Sequence, residues 1–342
     1  MPEKVTIYDI AKKLDITAAT VSRAFNSNSK ISMATRSLVL DTANKMNYKQ
    51  NKLAQALRNG KSNYVGVIVP RIDSNFFALV IRGIEEELQS KGYQIIICQT
   101  HEDEKREIEN ITTLLNAQVD GILISVSNAT KETESIIQQV SSNTIPLIFF
   151  DRQLHLEGIS SVTINDFEGG YLATEHLIKE GCTKIAHLAG DQSLAIFKSR
   201  LNGYKKALSD NKIEYREEYV VHTKSNVEAG KQATEKLLGL HNPPDAIFSS
   251  SDFAALGAIQ ELKEKNIAIP EDFCVVGFGN EPFTKFMELS ISSVNQSPKE
   301  MGEMAAKVFL EQININTNLK MEKKVVLVPE LLIRKSSNRQ NN

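Results

Sequence analysis

The chain has 342 residues, too many for one ordinary domain, and its formal net charge of −2 averages two unlike parts. Residues 1–61 carry eleven Lys or Arg against four Asp or Glu, a net of +7, whereas the remainder carries 29 basic and 38 acidic residues, a net of −9. No segment resembles a signal peptide and no apolar run approaches the roughly 20 residues of a membrane span, which argues against an exported or membrane protein and leads us to expect a cytoplasmic one.

The basic head has the pattern of three short helices. Thr6 caps the segment IYDIAKKL, Thr17 caps AATVSRAF and Ser32 caps MATRSLVLDTANKMNY, each with apolar residues at helical spacing. The expected buried side of the third segment consists of Leu38, Val39, Thr42, Ala43 and Met46. Two helices joined by a tight turn and supported by a third form a helix-turn-helix, whose second helix lies in the major groove. The positive charge of the head makes double-stranded DNA its expected partner.

The second helix, within ITAATVSRAFN (residues 16–26), opens with two alanines. Small side chains there would let the helix approach base edges and phosphates closely, and Arg23, one turn on, is the candidate for a bidentate contact with guanine. Short hydrogen-bonding residues nearby suit phosphate contacts. The expected DNA-contacting set of the head consists of Thr6, Thr17, Ala18, Ala19, Ser22, Arg23, Asn26, Ser32 and Thr35. An ordinary capped helix with a solvated arginine is the alternative.

Four segments carry a resemblance to a known family. VTIYDIAKKLDITAATVSRAFN, ISMATRSLVLDTANKMNY, NKLAQAL and YVGVIVP resemble, in order and spacing, the lactose-repressor (LacI/GalR) family of bacterial transcription regulators, from Val5 to about Arg334. Asp15 stands where the family usually has glycine, and Gln50 replaces its usual proline. The first change is mild because aspartate tolerates a left-handed backbone, and the second leaves the linker less constrained.

The polar stretch NKLAQALRNGKSN has apolar residues at helical spacing but is too short to persist as an isolated helix in water. The resemblance implies a hinge helix, ordered when two copies meet on DNA, with Leu57 wedged into a base step of the minor groove. Asn51 and Ala54 belong with Leu57 to the expected DNA-contacting set. A flexible tether with Leu57 packed on the body is the alternative.

From Tyr64 onward, short β-branched or aromatic runs such as YVGVIV, GILIS and FCVVGF alternate with amphipathic segments of helix length. This alternation predicts parallel sheets covered by helices on both faces. The resemblance implies a two-lobed α/β core, like a periplasmic binding protein, crossed three times by the chain. The expected domains are a helix-turn-helix head (1–49), a hinge (50–61) and an effector-binding and dimerisation core (62–342), with an N-lobe of about 62–162 and 293–324 and a C-lobe of about 163–292 and 325–340.

Ligands of open parallel sheets bind beyond the carboxyl ends of the strands, so residues just after the strands are candidates for a ligand site. They are Arg71, Asp73, Asn75, Phe76, Phe77, Asp151, Arg152, Phe197, Arg200, Ser251, Asp252, Asn280 and Phe283. Such polar groups beside phenylalanines suit a sugar or sugar-like acid, and the three arginines favour an anionic ligand. The resemblance most directly implies a ligand-binding role for Arg200, in RLNGY.

These candidates have structural alternatives. Ser251 and Asp252 could cap a helix, Asp151 and Arg152 could pair with each other, and the phenylalanines could belong to the core. After the strand SVTI, the family's Asp-Asn is present in reverse order, as Asn165-Asp166.

We expect no enzyme, metal or cofactor, because the sequence lacks a Walker loop, HExxH and GxSxG and its histidines show no ligand spacing with the cysteines. The expected function is that of a homodimeric, sequence-specific DNA-binding regulator. It would repress carbohydrate-use genes from a pseudo-palindromic operator, under allosteric control by a small sugar-like effector between the lobes. The alternatives are a global catabolite regulator controlled by a phosphorylated carrier protein, and a solute-binding protein or enzyme on the same two-lobed fold.

Overall fold

The computed structural model describes residues 5–25, 31–48, 61–127, 131–142, 145–313 and 322–339. The chain divides into two compact units, Met1–Ser62 and Asn63–Asn342. The first contains the predicted helices of the head, and the second contains two sheets. None of the helices in the described ranges is long and apolar enough to cross a membrane.

The described residues of the head form three helices around a small apolar core. Its helices are α1 (Ile7–Leu14), α2 (Ala18–Ala24) and α3 (Met33–Lys45). One side chain from each helix is fully buried at the centre: Ile10, Val21 and Val39. The turn between α1 and α2 passes through Asp15, which adopts the left-handed conformation with φ 53° and ψ 45°. Aspartate adopts this region more readily than most residues, so the turn forms without glycine.

The buried side of α3 is narrower than the sequence pattern predicts. Val39, Thr42 and Ala43 are buried, but Leu38 is 53% exposed, so its predicted burial is wrong. Because successive residues of an α-helix are about 100° apart, Leu38 lies just beyond the edge of the stripe centred on Val39 and Ala43. Its backbone oxygen accepts a hydrogen bond from the Thr42 hydroxyl at 2.8 Å.

The second unit contains two six-stranded sheets, which we call sheet A and sheet B. Sheet A consists of β1 (Tyr64–Val69), β2 (Gln94–Gln99), β3 (Gly121–Ile124), β4 (Leu147–Phe150), β5 (Ser160–Ile164) and β11 (Lys324–Leu327). Sheet B consists of β6 (Ile185–Leu188), β7 (Val220–Val221), β8 (Ala246–Ser249), β9 (Cys274–Phe278), β10 (Ser292–Asn295) and β12 (Glu330–Leu332). The strand orders are β11-β5-β4-β3-β1-β2 and β12-β10-β9-β8-β6-β7.

All neighbouring strands of sheet A are parallel, and in sheet B only the pair formed by β10 and β12 is antiparallel. Helices pack on both faces of each sheet, as the apolar runs of the central strands require. Around sheet A lie α4 (Asn75–Gln89), α5 (Glu104–Asn116), α6 (Lys131–Ser142) and α12 (Pro298–Ile313). Around sheet B lie α7 (Asp166–Lys179), α8 (Ala195–Asp210), α9 (Val227–Leu238), α10 (Asp252–Glu264) and α11 (Pro282–Phe286).

The chain passes between the two lobes three times, after β5, after β10 and after β11. These crossings follow Ile164, Asn295 and Leu327, each slightly later than the predicted boundaries near residues 162, 292 and 324. The difference arises because the last residues of each strand still pair within their own sheet, which the apolar pattern alone does not reveal.

The first two helices of the C-lobe, α7 and α8, pack through glycines. A methyl group on Gly170 would collide with the backbone of Arg200, and one on Gly203 would collide with the backbone oxygen of Phe167. The two helices therefore approach closely only because both positions lack a side chain. This contact holds the first turn of α7 against the middle of α8, where the cleft between the lobes begins.

Candidate nucleic-acid interface and ligand cleft

The outward side of α2 has few side-chain atoms. Ala19 and Arg23 are exposed, whereas Ala18 is half-buried and packs on the core of the head with Val21 and Ala24. Arg23 turns back along the helix, and its Nε donates a hydrogen bond to the Ala19 oxygen at 3.3 Å. The two predicted alanines thus face different surroundings, and only Ala19 presents its methyl group outward.

Hydroxyl groups expected at the DNA surface also form the helix caps. Thr17 accepts a hydrogen bond from the Thr20 backbone N–H at 3.2 Å, and Ser32 accepts one from the Thr35 N–H at 3.1 Å. The Thr6 backbone N–H donates to Asp9 Oδ2 at 2.7 Å, and the bond from the Thr6 hydroxyl lowers the pKa of Asp9. Short polar residues at these positions predict helix caps, and the caps fix the ends of the helices.

The other expected DNA contacts divide into two groups. Ser22 is half-buried on α2. Asn26, Asn51, Ala54 and Leu57 lie outside the described residues, as does Gln50. Sequence reasoning did not single out Tyr8, whose side chain on α1 is 71% exposed. An exposed tyrosine combines an apolar ring with a hydroxyl and is often found at interfaces, which is the signal that would have marked it.

A cleft with a volume of ≈ 360 Å³ lies between the two lobes of the second unit. It is formed by residues at or after the ends of β3, β4 and β5, by the segment leading into α8 with the first turns of that helix, and by Val326 of β11. Of the predicted ligand residues, all of which lie in described parts of the chain, Asp151 and Arg152 line it. Its position at the carboxyl ends of parallel strands is the one expected for this architecture.

Asp151 and Arg152 form a partly compensated charge pair at the end of β4. Asp151 has a left-handed backbone (φ 60°), accepts a hydrogen bond from the Ser125 hydroxyl at 3.2 Å, and lies 3.7 Å from Arg152 Nε. Burial raises the pKa of Asp151 to about 6, against the opposing effect of Arg152. The terminal nitrogens of Arg152 instead donate to both carboxylate oxygens of Glu102, at 2.7 and 3.2 Å.

Arg200 lies beneath the cleft and is only 4% exposed. Its Nε donates to Asp166 Oδ1 at 2.7 Å, and its terminal nitrogens donate to the Ser250 oxygen at 3.0 Å and to Gln296 Oε1 at 3.2 Å. The guanidinium also stacks 3.6 Å from the ring centre of Phe278. Among these partners, Asp166 lines the cleft. Arg200 therefore joins the first crossing, at Asp166, to the second crossing, at Gln296.

Two predicted ligand residues pair with each other on the surface after β1. Arg71 donates two hydrogen bonds of 2.9 Å to the carboxylate of Asp73, and both side chains are more than half exposed. The next predicted residues, Asn75, Phe76 and Phe77, begin α4. Both phenylalanines are buried in the N-lobe core with their rings edge to face, which is the structural alternative considered from the sequence.

The remaining predicted ligand residues are engaged within the C-lobe. Asp252 is buried, and its two oxygens accept hydrogen bonds from the Ser293 hydroxyl at 2.6 Å and the Glu281 N–H at 2.7 Å. Asn280 accepts a bond from Arg334 at 2.7 Å. The others lie beside these groups: Ser251 precedes α10, Phe283 packs on Phe253, and Phe197 packs beside the Arg200 guanidinium. These side chains stabilise the ends of the strands rather than line the described cleft.

Several cleft residues were not among the predicted ligand contacts. They come from the ends of β3, β4 and β5 and the residues that follow them, from the segment before α8 and its first turns, and from β11. The polar set consists of Ser127, Gln153, His155, Thr163, Asn165, Asp166, Ser193 and Ser199, and the apolar set includes Leu154, Phe167, Ile196 and Val326. Reading the residues after every strand, including β3 and β5, would have found Ser127 and Asn165.

The cleft offers carboxylates and hydroxyl groups beside apolar side chains. Asp166 lies close enough to Asp151 that its negative charge raises the pKa of Asp151 further. Arg71, Arg152 and Arg200, which favoured an anionic ligand in the sequence, each form an ion pair with a carboxylate. Such a surface suits a ligand that donates hydrogen bonds and has apolar ring edges.

Comparison with known proteins supports both units. Residues 6–51 match the model for bacterial regulatory proteins of the lacI family, and residues 62–336 match that for periplasmic binding proteins and the sugar binding domain of the LacI family. The HTH-type transcriptional regulator DegA of Bacillus subtilis (strain 168) is 32% identical over 99% of both chains. The HTH-type transcriptional repressor PurR of Mannheimia succiniciproducens is 30% identical over 97% of this chain and 98% of its own.

A solved structure gives the same result for the fold. The transcriptional regulator CelR in complex with cellobiose aligns with a TM-score of 0.74 and 26% identity, covering 97% of this chain and 100% of CelR. The resemblance seen in the sequence is thereby confirmed, together with the predicted helix-turn-helix head and two-lobed core. The chain belongs to the LacI family of bacterial regulatory proteins.

Proposed function

We propose that this protein is a sequence-specific DNA-binding transcriptional repressor controlled by a small sugar-like effector. The observation that carries the proposal is the combination of a basic helix-turn-helix, with Ala19 and Arg23 exposed on its second helix, and a two-lobed unit with a polar cleft. Its relative PurR of Mannheimia succiniciproducens is named as a transcriptional repressor. Because its partner is chromosomal DNA, the protein would act in the bacterial cytoplasm.

The effector is a neutral, hydroxyl-rich molecule rather than a sugar acid. Arg71, Arg152 and Arg200 are each neutralised by an acidic partner, so they supply little net attraction for an anion. An anionic ligand would also lie beside the carboxylates of Asp151 and Asp166 and would be repelled. Hydroxyl donors satisfy carboxylate oxygens without that repulsion. The cellobiose bound by CelR is a ligand of this chemical kind.

The protein acts as a homodimer, and two exposed apolar regions support this proposal. Ile97 is 46% exposed on β2, an edge strand of sheet A. In the C-lobe, Phe286 is 79% and Ile333 52% exposed beside a surface hollow of ≈ 570 Å³. Phe286 and Ile333 line the same hollow, and adjoining exposed apolar side chains of this kind often mark a protein contact site. A two-fold dimer would present two heads to a pseudo-palindromic operator.

Control by the effector follows from linkage between the cleft and the arrangement of the lobes. Arg200 is hydrogen-bonded to Asp166, at the first chain crossing, and to Gln296, at the second. A ligand that contacts Asp166 would therefore affect both crossings between the lobes. A ligand that binds one lobe arrangement more tightly shifts the population towards it. Operator affinity then changes by the same factor as effector affinity.

The test of this function is selection of bound DNA. The full chain is incubated with sheared DNA from its source at about 0.15 M salt, where non-specific phosphate binding is weak, and the retained fragments are sequenced. Enrichment of one pseudo-palindrome upstream of carbohydrate-use genes is expected. The Arg23→Ala variant is the matched control and should lose the enrichment. Retention of the same random fragments by both proteins would contradict sequence-specific binding.

A further inference from the structure

The Arg152 guanidinium lies between two carboxylates, those of Glu102 and Asp151. Its terminal nitrogens donate to both oxygens of Glu102, at 2.7 and 3.2 Å. Its Nε lies 3.7 Å from Asp151 Oδ2, beyond hydrogen-bond distance, and has no hydrogen-bond partner among the described residues. The Glu102 side chain is 44% exposed and that of Asp151 only 6%. The guanidinium therefore pairs with the more exposed carboxylate and leaves the buried one without a direct hydrogen bond from it.

Unusual backbone conformations hold both sides of this arrangement. Asp151 has φ 60° and lies at the centre of a tight turn, which the Arg152 N–H closes by donating to the Phe150 oxygen at 2.7 Å. After β2, His101 and Glu102 are both left-handed as well, with φ 58° and 61°. Residues other than glycine adopt this region only at an energetic cost, and such residues cluster at ligand sites. The fold thus fixes the direction of both carboxylates.

The charge state of Asp151 reflects this pairing. Burial raises its pKa to about 6, while Arg152 and Arg200 oppose the rise and Asp166 adds to it. The Ser125 hydroxyl also donates to Asp151 Oδ2, at 3.2 Å. A bidentate pair with Arg152 would instead occupy both carboxylate oxygens and lower the pKa of Asp151.

A carboxylate binds a ligand hydroxyl through an oxygen that the protein's own cations leave accessible. Asp151 and Arg152 line the cleft, whereas Glu102 is not among the described residues that line it, so Glu102 acts through Arg152. We propose that Glu102 is a positioning residue of the cleft, which holds the Arg152 guanidinium so that the Asp151 carboxylate stays available to a hydroxyl group of a neutral ligand. This inference rests on the proposed function, in which the effector is neutral and hydroxyl-rich.

Replacing Glu102 by glutamine tests the positioning role without a ligand. Glutamine keeps the size of the side chain and removes its charge, so Arg152 should turn to the nearby carboxylate of Asp151. The pKa of Asp151, followed in the full chain by carboxyl-carbon NMR and assigned with Asp151→Asn, should then fall from about 6 towards its ordinary 3.8. Asp73→Asn is the matched control, because it removes the carboxylate of the exposed ion pair with Arg71 and should leave the Asp151 titration unchanged.

A second background shows whether the effect passes through the guanidinium. In Arg152→Met, the further change Glu102→Gln should leave the pKa of Asp151 unchanged, because no cation remains to move. The inference is overturned if Glu102→Gln does not lower the pKa of Asp151 when Arg152 is present. It is also overturned if the pKa falls equally in both backgrounds, which would indicate a direct effect of the Glu102 charge.

Sugar binding tests the consequence for the cleft. Cellobiose, ribose and other neutral mono- and disaccharides are titrated into the wild type and Glu102→Gln by calorimetry. A sugar bound by the wild type should bind Glu102→Gln about tenfold more weakly, the effect of losing one hydrogen bond to a charged group, and equal affinity would overturn the inference. If the wild type bound none of these sugars, the proposed effector class would be contradicted, and the Asp151 titration would still decide the role of Glu102.

Discussion

Replacing Arg200 by alanine should destabilise the second unit strongly. The side chain is 4% exposed, forms an ion pair of 2.7 Å with Asp166, and donates to Ser250 and Gln296. Removing one partner of a buried ion pair leaves the other charge uncompensated and costs about 3–5 kcal/mol. Neutralising that charge as well, in the double variant with Asp166→Asn, should recover part of the loss.

Urea unfolding followed by circular dichroism measures this effect for the wild type, both single variants and the double variant. Arg82→Ala is the matched control, because the Arg82 and Glu86 side chains are exposed and such a pair contributes at most about 1 kcal/mol. A cost for Arg200→Ala as small as that of Arg82→Ala would refute the reasoning. Additive effects of Arg200→Ala and Asp166→Asn would equally show that the two side chains do not act as a pair.

Three further predictions concern the cleft, the helix packing and the dimer. The folded pKa of Asp151, about 6, lies above its ordinary 3.8, so its protonated form favours folding and that stability is lost as pH rises through 6. Asp151→Asn should remove this pH dependence. Relative to the wild type, it should raise the free energy of unfolding by up to about 3 kcal/mol at pH 7.5 but little at pH 4, as measured by urea unfolding at both pH values. Gly203→Ala should lower the melting temperature, because its methyl would meet the Phe167 oxygen, whereas Gly239→Ala, whose methyl would be in ordinary van der Waals contact, should not; equal shifts would contradict the close packing. For the homodimer proposed above, Phe286→Ser should shift sedimentation from dimer towards monomer without loss of helical content; a dimer that persists in Phe286→Ser would contradict an interface at this face.

The sequence predicts the helices and strands that have strong apolar periodicity, and it misses strands that form only by pairing with neighbouring strands. The head helices and the apolar strands of the core lie where the patterns place them, because each has a clear inward face. The two-residue strand β7 and the mixed sequence of β10, Ser292–Asn295, lack such a pattern and are strands only because neighbouring strands pair with them. Leu38 shows the same limit on a helix, since the width of a buried stripe depends on what packs against it.

The charged residues show most clearly which properties of the ligand site the sequence does not predict. The position of the cleft follows from strand order, so the place of Asp151 and Arg152 after β4 predicts that they line it. Whether an arginine is available to a ligand depends instead on which carboxylate the fold brings beside it. Glu102, 50 residues before Arg152, meets it because β2 and β4 both end at the same edge of sheet A. Asp166, 34 residues before Arg200, meets it because α7 packs closely on α8. Counting cations after strands therefore suggests an anion site, while the pairing of those cations supports a neutral ligand.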